Sequence, residues 1–281
     1  VIGGFELVER LNKGDITMMQ ATPTTWRLLS AGGWRAPKGF RMLCGGEALD
    51  PALATSLLEG QGALWNVYGP TETTIWSTCA HITDVTDAVV PLGAPIANTT
   101  LHVLDEDGLP CPNGIAGELF IGGIGLSPGY LNRPDLTQSA FIPNPFGPGR
   151  LYRTGDKAKR LTDGTLICLG RLDFQVKLRG FRVELAEIEA VLLQEPGVEQ
   201  AVVTLQKGIR EGQLVAYCRI SDETRDPEPR LRARLAKTLP AYMIPAGFVT
   251  LDRFPLNANG KVDRKALPPL DTPAAQAGDN A

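Results

Sequence analysis

The stretch Tyr68-Gly69-Pro70-Thr71-Glu72-Thr73-Thr74 places one carboxylate and three hydroxyls directly after a tight turn, with an aromatic ring before it. Two readings stand side by side. In one, Pro70 fixes the turn, Thr71 caps a following helix, and Glu72 sits in the first turn, where negative charge suits the positive helix end. In the other, the segment is a nucleotide site. The Tyr68 ring stacks on a base, the Thr71 hydroxyl bonds a phosphate oxygen, and Glu72 holds Mg2+, a hard cation that takes oxygen ligands.

Three more stretches carry the same ambiguity. In Tyr152-Arg153-Thr154-Gly155-Asp156 a strand runs into a Gly-Asp turn, and the same carboxylate can accept two ribose hydroxyls. In GRLDFQVKLRG, residues 170–180, Arg171, Asp173, Lys177 and Arg179 alternate as on a solvated strand. Yet this segment joins a β-rich region to the last part of the chain, where a hinge belongs. In FPLNANGKVDRKAL, residues 254–267, Asn259-Gly260 signals a hairpin turn. Lys261 behind it is either a surface lysine or a mobile, compact cation presented to a polyphosphate. IGGIGLSPGY, residues 121–130, lacks the GxGxxG register and a following helix, so it reads as turns.

The elements that must position these groups fall into three regions. Up to about residue 80 helix and strand alternate, as in an α/β layer. Residues 5–12 and 22–31 are expected to be helical, and DITMMQA, FRMLCGG and ALWNVYG to be buried strands. PALATSLLEG is a helix with Pro51 in its first turn and Gly60 past its end. From 81 to 172 short strands are punctuated by Asp107-Gly108, Asn113-Gly114 and Asp163-Gly164, and FIPNPFGPGR reads as a surface loop. From about 174 the sequence predicts a compact α+β module. It comprises a hairpin in FQVKLRGFRVEL, a helix in AEIEAVLLQE, strands EQAVVTLQ and QLVAYCRI, an arginine-bearing helix, and strand GFVTLD. Residues 269–281 read as a linker or disordered tail.

Bulk composition excludes several classes. The 281 residues are 43% hydrophobic and 21% charged, with net charge −3. No broad basic field invites nucleic acid or an acidic membrane. The longest basic run, residues 230–237, sets Leu231, Leu235 and Leu239 on one stripe and leaves its arginines as an expected solvated face. No stretch reaches the roughly 18 apolar residues of a membrane span. Glu6, Glu9, Arg10, Lys13 and Asp15 argue against a signal peptide. Five scattered cysteines and two histidines make neither a disulfide framework nor a zinc site, so a cytoplasmic protein is expected. The start at Val1 without an initiator Met reads as a piece of something longer.

Taken in order, LWNVYGPTETTIWST, GELFIGGIGLSPGYLNRPDLT, YRTGDKAKRLTDG, GRLDFQVKLRGFRVELAEIEAVL and LPAYMIPAGFVTLDRFPLNANGKVDRKAL resemble the consecutive core motifs of adenylation domains of nonribosomal peptide synthetases. These belong to the adenylate-forming superfamily, with acyl-CoA ligases and luciferases. The resemblance runs to about residue 268, and NGKVDRKAL and YMIP favour the peptide-synthetase branch.

The fold it implies is the C-terminal part of the adenylate-forming architecture, α/β and α+β. Residues 1–80 would be the remainder of an α/β core with the substrate pocket. Residues 81–172 would be a small, distorted, barrel-like β sub-domain, 173–268 a mobile α+β domain, and 269–281 a linker. The implied enzyme is an ATP-dependent ligase of secondary-metabolite biosynthesis. It adenylates an amino acid with MgATP, then passes it to the phosphopantetheine thiol of a peptidyl carrier protein, beside neighbouring synthetase domains. Neither nucleic acid nor membrane is an expected partner.

By resemblance, Tyr68 stacks on adenine, with the backbone of Gly45, Gly46 and Glu47 along its edge. Thr71 touches the α-phosphate and Glu72 ligates Mg2+. Asp156 takes the ribose hydroxyls, helped by Arg171. Lys261 bridges the substrate carboxylate and the α-phosphate. Asp173 is the hinge, and Gly180 belongs to the thiol tunnel. Gln20, Leu43, Gly45, Val67, Ile75 and Trp76 line the side-chain pocket, with Gly45 opening it, Trp76 filling one wall and Gln20 the polar group. That lining suits a small-to-medium, largely uncharged side chain.

Two departures qualify the match. The aspartate that usually holds the α-amino group and the Gly/Ser/Thr-rich phosphate loop both belong upstream of Val1, so this stretch alone is expected to be inactive. Cys168 stands where the family often has an aromatic near the ribose. The competing readings are an acyl- or aryl-CoA ligase of the same fold and a non-catalytic scaffold piece.

Overall fold

The computed structural model describes residues 4–85, 89–173, 175–178, 180–207, 212–221, 227–257 and 262–270. The chain divides into two compact units, Val1–Asp173 and Phe174–Ala281.

The first unit begins with α1 (Gly4–Asn12), β1 (Met18–Ala21), α2 (Pro23–Ala31), β2 (Arg41–Gly45), α3 (Pro51–Leu58), β3 (Ala63–Tyr68), β4 (Thr78–Ile82) and β5 (Ala94–Pro95). These strands form one sheet in the order β1-β2-β3-β4-β5. The first three are parallel and the last two antiparallel. α2 and α3 are the crossovers between the parallel strands, and both start with one device. An oxygen-bearing side chain, Thr22 or Asp50, accepts an amide of the first turn, and a proline follows it. Proline at that position loses no intrahelical hydrogen bond. Trp26, Leu29, Phe40, Met42, Ala54 and Leu64 form the core between helices and sheet.

β1 departs from expectation. DITMMQA reads as a buried strand, but among the described residues β1 pairs on one side only, with β2, and Met18 is 46% exposed.

The second part of this unit contains β6 (Thr99–Leu104), β7 (Ala116–Gly123), α4 (Pro134–Ala140), β8 (Phe141–Pro143), β9 (Arg150–Arg160) and β10 (Leu166–Arg171). The sheet runs β10-β9-β7-β6 with β8 paired on β9, and the pairings among the described residues do not close it into a ring. FIPNPFGPGR is thus not loop throughout, since Phe141 to Pro143 pair with Tyr152 to Arg150. The turn glycines behave as their dipeptides demand, with Gly108, Gly114 and Gly164 at φ +78°, +85° and +89°.

The second unit contains the hairpin β11 (Val176–Leu178) and β12 (Phe181–Val183), then α5 (Leu185–Leu192), β13 (Val198–Lys207), β14 (Gly212–Ile220), α6 (Glu228–Ala236) and β15 (Gly247–Thr250). β13 and β14 are antiparallel, and β15 adds parallel to β14. Val183, Ile188, Leu192, Val203, Ala216 and Leu235 fill the core beneath α5 and α6.

The arginines of α6 are not a free solvated face. Arg230 donates to Pro196 O at 3.1 Å, Arg232 to Pro245 O at 3.0 Å, and Arg234 to Gln194 Oε1 at 2.7 Å. They tie the helix to Pro196, Pro245 and Gln194 on neighbouring segments.

Candidate active site

The carboxylate of Asp156 stands on a bulge. β7 and β9 pair at Glu118 opposite Lys157 and again at Phe120 opposite Arg153. One residue of β7 therefore faces three of β9: Thr154, Gly155 and Asp156. A bulge bends a strand and re-aims the side chains it carries. Gly155 sits at φ +71°, and a Cβ there would lie 2.8 Å from Arg171 Nη2 and 2.9 Å from Asp173 Oδ2. Only glycine meets both demands.

Asp156 is buried, and its two oxygens serve two donors. The Tyr68 hydroxyl donates to Oδ2 at 2.5 Å, and Arg171 Nη1 donates to Oδ1 at 3.0 Å. Burial first, and then the Asp156 charge, pushes the Tyr68 phenol well above its ordinary range, so it remains a donor at neutral pH. Arg171 reaches further. Its Nε and Nη2 donate to Asp173 Oδ1 and Oδ2, each at 2.6 Å. One guanidinium fork thus spans two carboxylates. β3 and β9 bring together Tyr68 and Asp156, 88 apart in sequence, and β10 adds Arg171. Each carboxylate oxygen has a second lone pair, so Asp156 can still accept hydroxyls of a ligand.

At Glu72 the helix-capping reading fails. Thr71–Thr73 is a single three-residue turn, and Thr74 ends it in the left-handed region at φ 62°. No helix follows for Thr71 to cap, and Thr71 is exposed. Glu72 is nevertheless buried and accepts a 2.6 Å hydrogen bond from the Tyr130 hydroxyl at Oε1. Burial, with the Glu72 bond second, pushes the Tyr130 phenol upward. Among the described residues no group of three or more His, Cys, Asp and Glu could hold a metal. A lone buried carboxylate suits Mg2+ that arrives with most of its oxygen ligands on a phosphate chain.

Ile75 adds strain that its sequence does not announce. It follows Thr74 at φ 69°, so two β-branched residues lie consecutively in the left-handed region. Thr74 Oγ1 donates to Gly125 O at 2.7 Å, and Ser77 N donates to Tyr68 O at 2.7 Å. These bonds fold the loop back over Gly69, where a Cβ would meet Ile75 O at 2.6 Å. Strain of this kind is kept where the surrounding structure over-determines it.

Four of the expected pocket residues share one sheet face. Gln20 is opposite Leu43, and Gly45 is opposite Val67, with Leu43 and Gly45 two apart on β2. Gln20 is exposed and Val67 buried. Gly45 does not by itself open a space, because a Cβ there would lie 2.6 Å from Val67 Cγ2 and 2.5 Å from Val67 O. Its missing side chain lets β3 approach. Ile75 and Trp76 follow on the loop from β3 to β4, 67% and 37% exposed. Gly46 turns the chain at φ +87°, and the Glu47 carboxylate is engaged by Thr24, from Oγ1 at 2.8 Å and N at 3.2 Å. Thr24 thus holds the Glu47 carboxylate against α2.

In the second unit, Gly180 takes φ +80° at the tip of the β11–β12 hairpin. Lys261 lies outside the described residues. The chain resumes beyond it, where Val262 bridges Leu256. Arg264 Nη2 donates to Glu189 Oε1 at 2.8 Å, and the Tyr217 hydroxyl donates to Pro268 O at 2.6 Å. Those bonds fasten residues 262–270 to α5 and β14 of their own unit.

A tyrosine, an aspartate and an arginine converging on one point of a bulged sheet suit a nucleoside. Residues 5–131 match the family model of AMP-binding enzymes, and residues 187–261 match that of the AMP-binding enzyme C-terminal domain. The chain belongs to the AMP-binding enzyme family.

Relatives that it matches include nonribosomal peptide synthetases. It is 45% identical over 267 residues to a dimodular nonribosomal peptide synthase of Bacillus subtilis (strain 168), covering 94% of this chain and 11% of the relative. A crystal structure of a four-domain nonribosomal peptide synthetase bound to AMP and glycine matches with TM-score 0.60 and 49% identity, covering 99% of this chain and 21% of that one. A synthetase protein containing adenylation and carrier domains, bound to a vinylsulfonamide inhibitor, matches with TM-score 0.81 and 29% identity over 94% of this chain and 46% of the other. The chain thus spans about a tenth of the dimodular relative. Within this family the fold agrees with the α/β and α+β expectation.

Motif reading assigned Tyr68, Asp156, Arg171 and Glu72 but missed their supports. Tyr130 and Glu118 stand in the quoted motif GELFIGGIGLSPGY with no role given them. The only available signal was that a Glu and a Tyr each stand among small or apolar residues, where a buried polar group needs a partner.

Proposed function

We propose that this chain is part of an amino-acid-activating ligase of nonribosomal peptide synthesis. A substrate carboxylate oxygen attacks the α-phosphorus of ATP, the bond to pyrophosphate breaks, and an aminoacyl adenylate forms. A carrier-protein phosphopantetheine thiol then attacks the acyl carbon and AMP leaves. The observation that supports this best is the Tyr68–Asp156–Arg171 cluster, with Asp156 raised on its bulge.

In this reading the Tyr68 ring lies against adenine, beside the backbone of Gly45, Gly46 and Glu47. Asp156 accepts the ribose hydroxyls, and Arg171 keeps that carboxylate oriented. Thr71, exposed at the turn, donates to the α-phosphate. Glu72 would hold magnesium, which offsets phosphate charge when bound with the nucleotide. Lys261 places an ammonium where charge develops, a preorganised electrostatic role. Asp173 is the hinge about which the second unit swings, so that Gly180 comes to serve the thiol step in place of Lys261. Gln20, Leu43, Val67, Ile75 and Trp76 line the side-chain pocket, which suits a small-to-medium uncharged substrate. The cytoplasm is the compartment that fits ATP use and free cysteines.

The test is substrate-dependent exchange of labelled pyrophosphate into ATP by the full-length protein that carries this chain. An α-amino acid with an uncharged side chain is expected to drive exchange, and fatty and aryl acids to leave it at background. Exchange driven only by those acids, or by no carboxylic acid, would overturn the proposal.

A further inference from the structure

Asp156 owes its position to a bulge, and something must hold that bulge open. Two buried side chains do. Thr154 Oγ1 donates to Leu119 O at 2.7 Å and accepts the Asp156 amide at 3.0 Å. Glu118 accepts the Gly155 amide at Oε1, 3.1 Å away. Both Glu118 oxygens also accept from Arg153 Nε, at 3.0 and 2.9 Å, and Arg153 Nη2 lies 2.9 Å from Oε2. Glu118 sits at the last paired position before the bulge, and Arg153 at the first one beyond it. The ion pair therefore brackets the three bulged residues from both sides.

The Glu118 carboxylate is 10% exposed, whereas the arginine side chain is 58% exposed. A neutral side chain could fill that space without the desolvation cost of a charge. What the carboxylate supplies is directional: two oxygens fixed by one guanidinium, one of them accepting from the glycine just before Asp156.

We propose that Glu118 is a positioning residue for nucleotide recognition, its buried carboxylate fixing the bulge that sets Asp156 against the ribose. The proposal rests on the reading of Asp156 as the ribose acceptor. Glu118 touches no reacting group, so its effect falls on ATP binding and on ribose discrimination rather than on turnover.

The test uses the full-length protein and measures KM for ATP, kcat, and the ratio of kcat/KM for ATP over 2′-deoxyATP, with thermal unfolding as the control. Glu118→Ala removes both contacts and is expected to raise KM for ATP about 10-fold, the worth of a hydrogen bond to a charged group, with kcat close to wild type. The ATP preference should collapse toward that of Asp156→Ala, and the double variant should lose little more. Glu118→Gln keeps an acceptor for the Gly155 amide and should recover most of the preference.

If Glu118→Ala does not fold, Glu118→Asp decides. It keeps the charge but withdraws it by one methylene, and should still lower the ratio. An unchanged ratio in folded Glu118→Ala or Glu118→Asp, with Asp156→Ala altered, would overturn the role of Glu118 alone. An unchanged ratio in Asp156→Ala would overturn the ribose reading itself, and this proposal with it.

Discussion

Replacing Lys261 by alanine in the full-length protein is expected to slow adenylate formation about 10²–10³-fold, the usual effect of removing one preorganised charge-stabilising donor. Thioester formation from supplied aminoacyl adenylate should stay near wild type. The asymmetry follows from charge. In the first half-reaction negative charge moves onto the α-phosphate oxygens and the leaving pyrophosphate, and a compact ammonium meets it there. In the second, the adenylate already exists and the attacking atom is a thiol sulfur.

The described residues on the C-terminal side of Lys261 are tied to their own unit. Arg264 is paired to Glu189 at 2.8 Å and also donates to Val203 O at 2.5 Å. In the proposed function the ammonium of Lys261 is present for the first half-reaction and withdrawn for the second. Rapid-quench measurement of each half-reaction checks this. Equal losses in both would contradict the two-position role of Lys261.

Trp26→Ala is expected to lower the stability of the first unit by about 3–5 kcal/mol, the range for emptying a large buried aromatic site. The Trp26 side chain is fully buried. It packs on Trp34, centroid to centroid 5.9 Å, and Trp34 packs edge-on against Phe40 at 5.3 Å. Its indole Nε1 also donates to Leu43 O at 3.2 Å, on the strand that carries two proposed pocket residues. Trp26→Phe keeps most of the burial and loses that bond, so it should cost about 1–2 kcal/mol. Urea unfolding of both variants measures the difference. A loss below about 1 kcal/mol for Trp26→Ala would mean that this cluster does not organise the α/β part.

Local patterns carried the elements whose signals are local. Thr22-Pro23 and Asp50-Pro51 mark helix starts, and the structure uses both as N-caps. The alternation around Gly180 predicts a hairpin, and Val176 pairs with Val183 as it requires. What local patterns do not hold is who lies beside whom. β1 reads as buried because its residues are apolar, yet among the described residues it has a strand on one side only. Phe141–Pro143 hides in a proline-rich stretch because its partner, β9, lies beyond the turn. α4 is announced only by Pro134 and Asp135, and the reading passed over both.

The site divides the same way. Residue types pointed to Tyr68, Glu72 and Asp156. Their meeting did not follow from type. The Tyr68–Asp156 bond needs β3 and β9 brought together, and the bulge appears only when β7 is laid against β9. The strained pair Thr74-Ile75 is invisible in sequence, because both residues ordinarily favour strands.

The most direct measurement of the central claim is a crystal structure of the full-length protein with bound AMP. The account predicts adenine against the Tyr68 ring and both ribose hydroxyls on the Asp156 carboxylate, with Arg171 still in its fork. AMP bound with Asp156 turned away from the ribose, or at a place remote from Tyr68, would contradict it.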